Sequence, residues 1–204
     1  MDLDPVETSK SAAEASESAK SKAEARLNSA VAVTVAVLAS FLGICKVKDD
    51  NIVQAMQQAQ ADKVDHWSFY QARNIREEVA KAELASLQLS LDATDDEKRR
   101  AAFTAEMSRY QALVKEQTEK KDEVKAQAEN DQKTYDALNY RDDQFDLSDA
   151  LSALAISLLA VTALTHKRWL YFAALVPTSF GILMGLAGLL GWQLHSDTLA
   201  RWLS

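Results

Sequence analysis

Glycine and proline are nearly missing from this chain. It holds five glycines and two prolines, and none of either falls between Gly43 and Pro177, a run of 133 residues. Average usage, about 12% for the two together, would place roughly 16 there. Hairpin turns, bulges and loop-rich enzyme folds rely on these residues for positive φ and sharp reversals. Without them a sheet-based fold is excluded, and very long helices are the expected architecture.

Cysteine is almost as scarce. Cys45 stands alone, so no intrachain disulfide can form and the redox compartment stays open. It follows Leu42-Gly43-Ile44, which is similar to a lipid-attachment box, but Ile44 occupies the place such a box gives to Gly or Ala. The three histidines, His66, His166 and His195, are far apart. Nothing resembles a nucleophile elbow, a phosphate loop or a zinc ligand pair. A glycine-free stretch also offers no backbone cradle for phosphate. No catalytic residue, cofactor or metal is expected, and no enzyme activity.

Charge is unevenly placed. The net charge is −7, and Lys46–Asp149 alone carries 16 Lys/Arg against 23 Asp/Glu. That acidity argues against nucleic acid, whose phosphates need clustered cations. Residues 1–26 are polar, rich in Ala, Ser, Glu and Lys, and suit either a helix or disorder. Leu27–Cys45 is free of charge, and from Ala150 onward only Lys167, Arg168, Asp197 and Arg201 are charged.

Apolar runs of about 20 residues suffice to span a bilayer as a helix. Three candidates follow: 27–45, 147–165 and 169–194, the last with Trp169, Tyr171 and Trp192 as interfacial anchors. The first reads as an uncleaved anchor, because residues 1–26 are too long and too acidic for a signal peptide. The loop 166–168, His-Lys-Arg, is short and basic, which places it and the N-terminus in the cytoplasm. Residues 46–146 and the tail 195–204 then lie outside, although Lys46 and Lys48 vote the other way.

Within 46–146 the turn chemistry sits at 92–96, where Thr94 and Glu97 match a capping box. Arms of 46 and 52 residues flank it, about 70 and 78 Å at ~1.5 Å per residue. Steps of three and four pass on the first arm from Ile52 to Leu91 through Tyr70, Leu84 and Leu87, and on the second from Phe103 to Phe145. Eight of twelve and nine of thirteen positions are apolar, enough for an antiparallel coiled-coil hairpin. Polar breaks occur at Lys63/His66, Arg73/Glu77 and Gln117/Lys121. They read as a register-setting polar layer or a wet groove filled by a neighbouring subunit or, alternatively, as a ligand site. Folding about residue 93 pairs His66 with Lys121 and Glu77 with Arg109.

Three groups of residues stand out. Trp67, Phe69 and Tyr70 put three rings within four residues, too many for one seam, so Trp67 or Phe69 should face a partner. With Leu84 and Leu87 they form the candidate interaction surface. Asp49, Asp50, Asp142, Asp146 and Asp149 gather where the arms meet the spans. They are either a solvated rim or a cation-attracting vestibule, with Asp149 notable inside an apolar segment. Ala32, Ala36, Ser40 and Gly43, and separately Gly181, Gly185 and Gly188, form small-residue faces for close helix packing.

The order of parts resembles a bacterial membrane protein family of unknown function, domain-of-unknown-function family number 4337. The likeness rests on the first apolar span, the stretch Trp67-Ser68-Phe69-Tyr70-Gln71-Ala72, the charged helical segment, and the last spans joined by a basic turn into Trp169. It covers about Leu27 to Trp192, with Phe69 where Tyr is expected. The resemblance implies a bacterial inner-membrane protein and no catalytic residues. The expected fold is an all-α membrane protein with three spans and a long helical hairpin between the first two. Its expected partners are further copies of itself, the lipid bilayer and other envelope proteins. Two functions are carried forward: a self-associating scaffold, and a subunit of an ion-conducting or proton-coupled complex.

Overall fold

The computed structural model describes residues 5–192, with side chains from Ser16 onward. The tail 195–204 lies outside the described residues. Three helices make up the rest: α1 Pro5–Asp92 (88 residues), α2 Glu97–Thr165 (69 residues) and α3 Arg168–Leu190 (23 residues). No strand occurs among the described residues. All three helices are long and apolar enough to cross a membrane. From Pro5, the polar N-terminal segment is part of α1.

Ends of helices show how a chain short of glycine turns. Asp96, rather than the Thr94–Glu97 box, caps α2: its Oδ1 accepts from the backbone N–H of Lys98 at 2.9 Å and of Arg99 at 3.3 Å. Asp96 lies directly before the first helical residue, the position from which a side chain reaches the free N–H groups. Thr94 accepts from the Asp96 N–H instead, at 3.4 Å. Arg100 ties the reversal together, donating to the carbonyls of Leu91 and Thr94 at 3.0 Å each. Between α2 and α3, His166 takes φ 53°, a left-handed conformation in which a residue with a Cβ is strained by ~1–2 kcal/mol. Gly191 takes φ 69° without that strain. It closes α3 at Leu190, short of the apolar run's end at 194, with the Trp192 N–H reaching back to the Ala187 carbonyl at 2.9 Å.

The chain divides into two compact units: Val53–Asn139, the arm unit, and the residues up to Ile52 with those from Tyr140, the span unit. In the arm unit α1 and α2 lie side by side. All twelve positions of the first apolar stripe and all thirteen of the second are buried or half-buried. Met56, Ala59, Ala80 and Ala128 are fully buried, while Tyr70, Leu84 and Leu87 are half-buried in this seam.

The span unit packs by size. A β-carbon at Gly181 would lie 2.8 Å from Ser152 Oγ, at Gly185 2.7 Å from the Phe41 ring, and at Gly188 2.8 Å from the Phe145 ring. The glycine face of α3 is therefore filled by this chain's own α1 and α2. Ala32, Ala36, Ser40 and Gly43 behave differently: all four are exposed, and nothing lies within 4 Å of a β-carbon at Gly43. Hydroxyls satisfy one another across the helices. Thr34 donates to the Ala30 carbonyl at 2.8 Å, so its contact at 3.1 Å with Tyr171 is donated by the tyrosine. Ser148 donates to the Gly181 carbonyl at 2.8 Å. Arg141 donates to the Gly188 carbonyl at 2.9 Å, one of the last-turn acceptors that α3 leaves free.

Candidate functional sites in the two units

The arm unit's polar breaks are paired. Lys63 Nζ donates to Gln132 Oε1 at 2.7 Å, and His66 Nδ1 meets Asp131 Oδ2 at 2.6 Å. Arg73 donates to Gln117 Oε1 at 3.1 Å. Glu77, 3% exposed, is clamped by Lys81 at 2.6 Å and Lys121 at 2.5 Å. Hydrogen bonds from Lys121 and then Lys81 hold its carboxyl down at about 2. These partners correct the expected register. His66 meets Asp131 rather than Lys121, and Glu77 meets Lys121 rather than Arg109, which instead pairs with Glu106 and lies 5.6 Å from the Tyr110 ring centre. Folding about residue 93 treats the turn as a point. The observed pairs, His66 with Asp131 and Glu77 with Lys121, are centred inside α2 rather than on the turn 93–96, so α2 is also displaced along α1 by more than the reversing residues explain.

Of the aromatic cluster, Tyr70 turns into the seam and Phe69 away from it, at 60% exposure. Trp67 sits at the border, edge-on to Tyr70 with ring centres 5.3 Å apart. Leu84 and Leu87 belong to the intrachain seam, which their spacing alone did not separate from a contact between copies.

A further surface went unread in the sequence. On the side of α1 away from the seam, Ser68, Ala72, Ile75, Val79, Ala82, Ser86 and Leu89 recur at steps of four and three, and all are exposed. Ile75 and Val79 are each 63% exposed and Leu89 is 71% exposed. The signal was present: a second three–four stripe without a charge, hidden because the first stripe already explained the helix. The exposed side of α2 is unlike it, laced by Lys120–Glu116 at 2.5 Å and Lys125–Glu129 at 3.9 Å.

In the span unit, the carboxylates divide. Lys46 donates to Asp49 Oδ2 at 2.8 Å and lies 3.5 Å from Asp50 Oδ1. The Asp49 side chain is 6% exposed, and its Oδ1 has no hydrogen-bond donor. Asp142 lies against it. Burial, then a hydrogen bond with Asp49 and the charges of Asp146, Asp49 and Asp143, push the Asp142 carboxyl up to about 6. Asp146 is raised too, first by burial and then by the charge of Asp49. Asp50, Asp146 and Asp149 are exposed, Asp142 is half-buried and Asp49 is buried. Thus Asp49 has Lys46 on one side and Asp142 on the other, and Asp146 feels both Lys46 and Asp49. Among the described residues no three His, Cys, Asp or Glu side chains are placed to hold a metal ion. What the arrangement can hold is a proton on Asp142, hydrogen-bonded to the Asp49 carboxylate.

Neither the curated proteins nor the solved structures yield a match to this chain. A family model does match, over residues 27–191, and its description is a domain of unknown function, DUF4337. The match takes in the three apolar segments and the whole of the arm unit. The chain belongs to the DUF4337 family.

Proposed function

We propose that this protein is a membrane-anchored helical scaffold of the bacterial inner membrane that self-associates and catalyses no reaction. In this reading the arm unit is a coiled-coil hairpin carried outside the membrane, and the basic turn at 166–168 faces the cytoplasm with the N-terminus. One observation carries the proposal: Phe69, Ile75, Val79 and Leu89 remain exposed on the arm although the seam polar residues are paired. An apolar stripe left open in water marks an interaction surface. Native mass spectrometry of the detergent-solubilised protein tests this. Assemblies of two or more copies support it. A monomer, together with no crosslinked product in native membranes, removes it.

A second reading, a proton-coupled complex, is favoured by the buried Asp49 carboxyl, which keeps one oxygen without a donor and lies beside the raised Asp142 carboxyl. Its test is proton flux in reconstituted vesicles. Flux abolished by Asp142→Asn or Asp149→Asn supports the reading, and its absence in the wild type ends it.

A further inference from the structure

We propose that Asp49 and Asp142 form a proton-operated clasp between α1 and α2, closed while Asp142 carries a proton and open once both carboxyls are ionised. The inference rests on the proton site of the second reading and needs no flux across the membrane.

The clasp lies within the span unit, close to where both helices pass into the arm. Asp49 is within four residues of the arm unit's start at Val53, and Asp142 within three of its end at Asn139. Cys45, Asp49, Ile52 and Met56 are successive buried positions of α1, at steps of four, three and four. The apolar neighbours on that face carry Asp49 inside with them, where a carboxylate must find polar partners. Lys46 meets one of its oxygens at 2.8 Å, and the other has no donor. Lys46 stands on α1, as Asp49 does, so it offsets the charge without tying Asp49 to α2.

Asp142, half-buried on α2, makes that tie. Protonated, its O–H donates to the Asp49 carboxylate, a charge-assisted bond between the two helices. Ionised, the pair become like charges in contact, and α1 and α2 loosen from one another where they enter the arm.

The surroundings offer little to offset that repulsion. Around the pair, α1 brings Lys46, Asp50 and the exposed Lys48, with the buried Cys45 thiol one turn from Asp49. From α2 come Asp143 and Asp146, with Asp149 a turn further. Six carboxylates therefore stand against two lysines. Arg141 is turned to the Gly188 carbonyl, and α3 carries no charged side chain after Arg168. Burial and the contact with Asp49 hold the Asp142 carboxyl at about 6, so the clasp changes state near neutral pH. Elsewhere in the span unit the interior is filled by the fully buried Leu38, Ala155, Leu159 and Ala174. The proton enters and leaves by way of the half-buried Asp142.

Hydrogen exchange read by mass spectrometry, on the full chain in detergent at pH 5 and pH 8, tests the clasp. After division by the intrinsic rates, peptides over 45–52 and 140–147 should exchange at least roughly 5-fold faster at pH 8. The peptide around Glu77, a carboxyl held at about 2, does not titrate in this range and is the internal reference. Asp142→Asn keeps a neutral donor toward Asp49, so its protection at pH 8 should match that of the wild type at pH 5. Equal protection of the wild type at both pH values, or an undiminished pH response in the variant, overturns the clasp. Infrared difference spectra supply a second readout. A protonated-carboxyl band should vanish from the wild type with a midpoint at about 6 and be reduced in Asp142→Asn. Absence of the band from the wild type, or a band of undiminished size in the variant, also overturns it. Both signatures without proton flux end the proton-coupled reading and leave the clasp; flux without them does the reverse.

Discussion

The arm and span units solve the same problem, two or three helices lying together, with opposite chemistry. In the arm unit opposite charges meet at the seam, so Glu77 between Lys81 and Lys121 is held ionised. In the span unit glycines admit neighbouring rings, hydroxyls bond across helices, and the one charged cluster gathers like signs. The proposed placement, with the arm in water and the spans in lipid, accounts for this difference. Water rewards burying apolar stripes and tolerates paired charges in the seam. Lipid gives no such reward, so close fit must hold the helices.

The largest expected effect comes from spoiling that fit. Gly188→Val drives a β-carbon against the ring of Phe145, which is only 2% exposed and has no room to yield. Overpacking of this kind should destabilise by about 3 kcal/mol, read as a lowered unfolding midpoint in detergent. An unchanged midpoint would mean that glycines are not what sets the packing.

Breaking the clamp in the arm unit comes next. Glu77→Gln leaves Lys81 and Lys121 as neighbouring like charges, so the arm should melt earlier at neutral pH. The pH dependence has a definite sign. A carboxyl held down at about 2 contributes stability above its usual range near 4.5, and that stability is lost as pH falls from there through about 2. The variant should lose this acid sensitivity, checked by circular dichroism melts across the window.

Asp142→Asn probes the opposite sign. A carboxyl raised to about 6 binds its proton more tightly in the folded state, so wild-type stability falls as pH rises from about 4 through 6. The variant should show a shallower slope over that window, the remainder coming from Asp146, and be more stable at pH 7. The gain is at most about 1 kcal/mol, since the group is partly exposed and screened. Equal slopes for both proteins would count against the carboxyl pair. The smallest effect is Tyr171→Phe, which deletes one hydroxyl bond to Thr34 and should lower stability by about 0.6 kcal/mol.

Much of this architecture was legible beforehand. Every position of the two apolar stripes is buried or half-buried, because burial on a helix follows the three–four spacing wherever the chain cannot turn. Three features were not. The cap fell to Asp96 because it lies one residue before the helix, whereas Thr94 matched only a spacing rule. The pairing of His66 with Asp131 depended on how far α2 is displaced along α1, which the length of the turn does not set. The split between Tyr70 inward and Phe69 outward required the rotation of α1 against α2.

Helicity and the faces the arm helices bury follow from composition and period alone, whereas the end of α3 at Leu190 and the start of α1 at Pro5 did not. With almost no glycine or proline, a chain has few ways to leave a helix, and its apolar residues mark one side of it. Which residue meets which did not follow. Sliding one long helix past another by a heptad preserves most apolar contacts, so only the turn and the pairing of buried charges select among registers. The same holds for Asp142 and Glu77. They are carboxylates of one chain, and their opposite proton affinities come from what tertiary structure did to them: burial and then Asp49 for the one, Lys121 for the other.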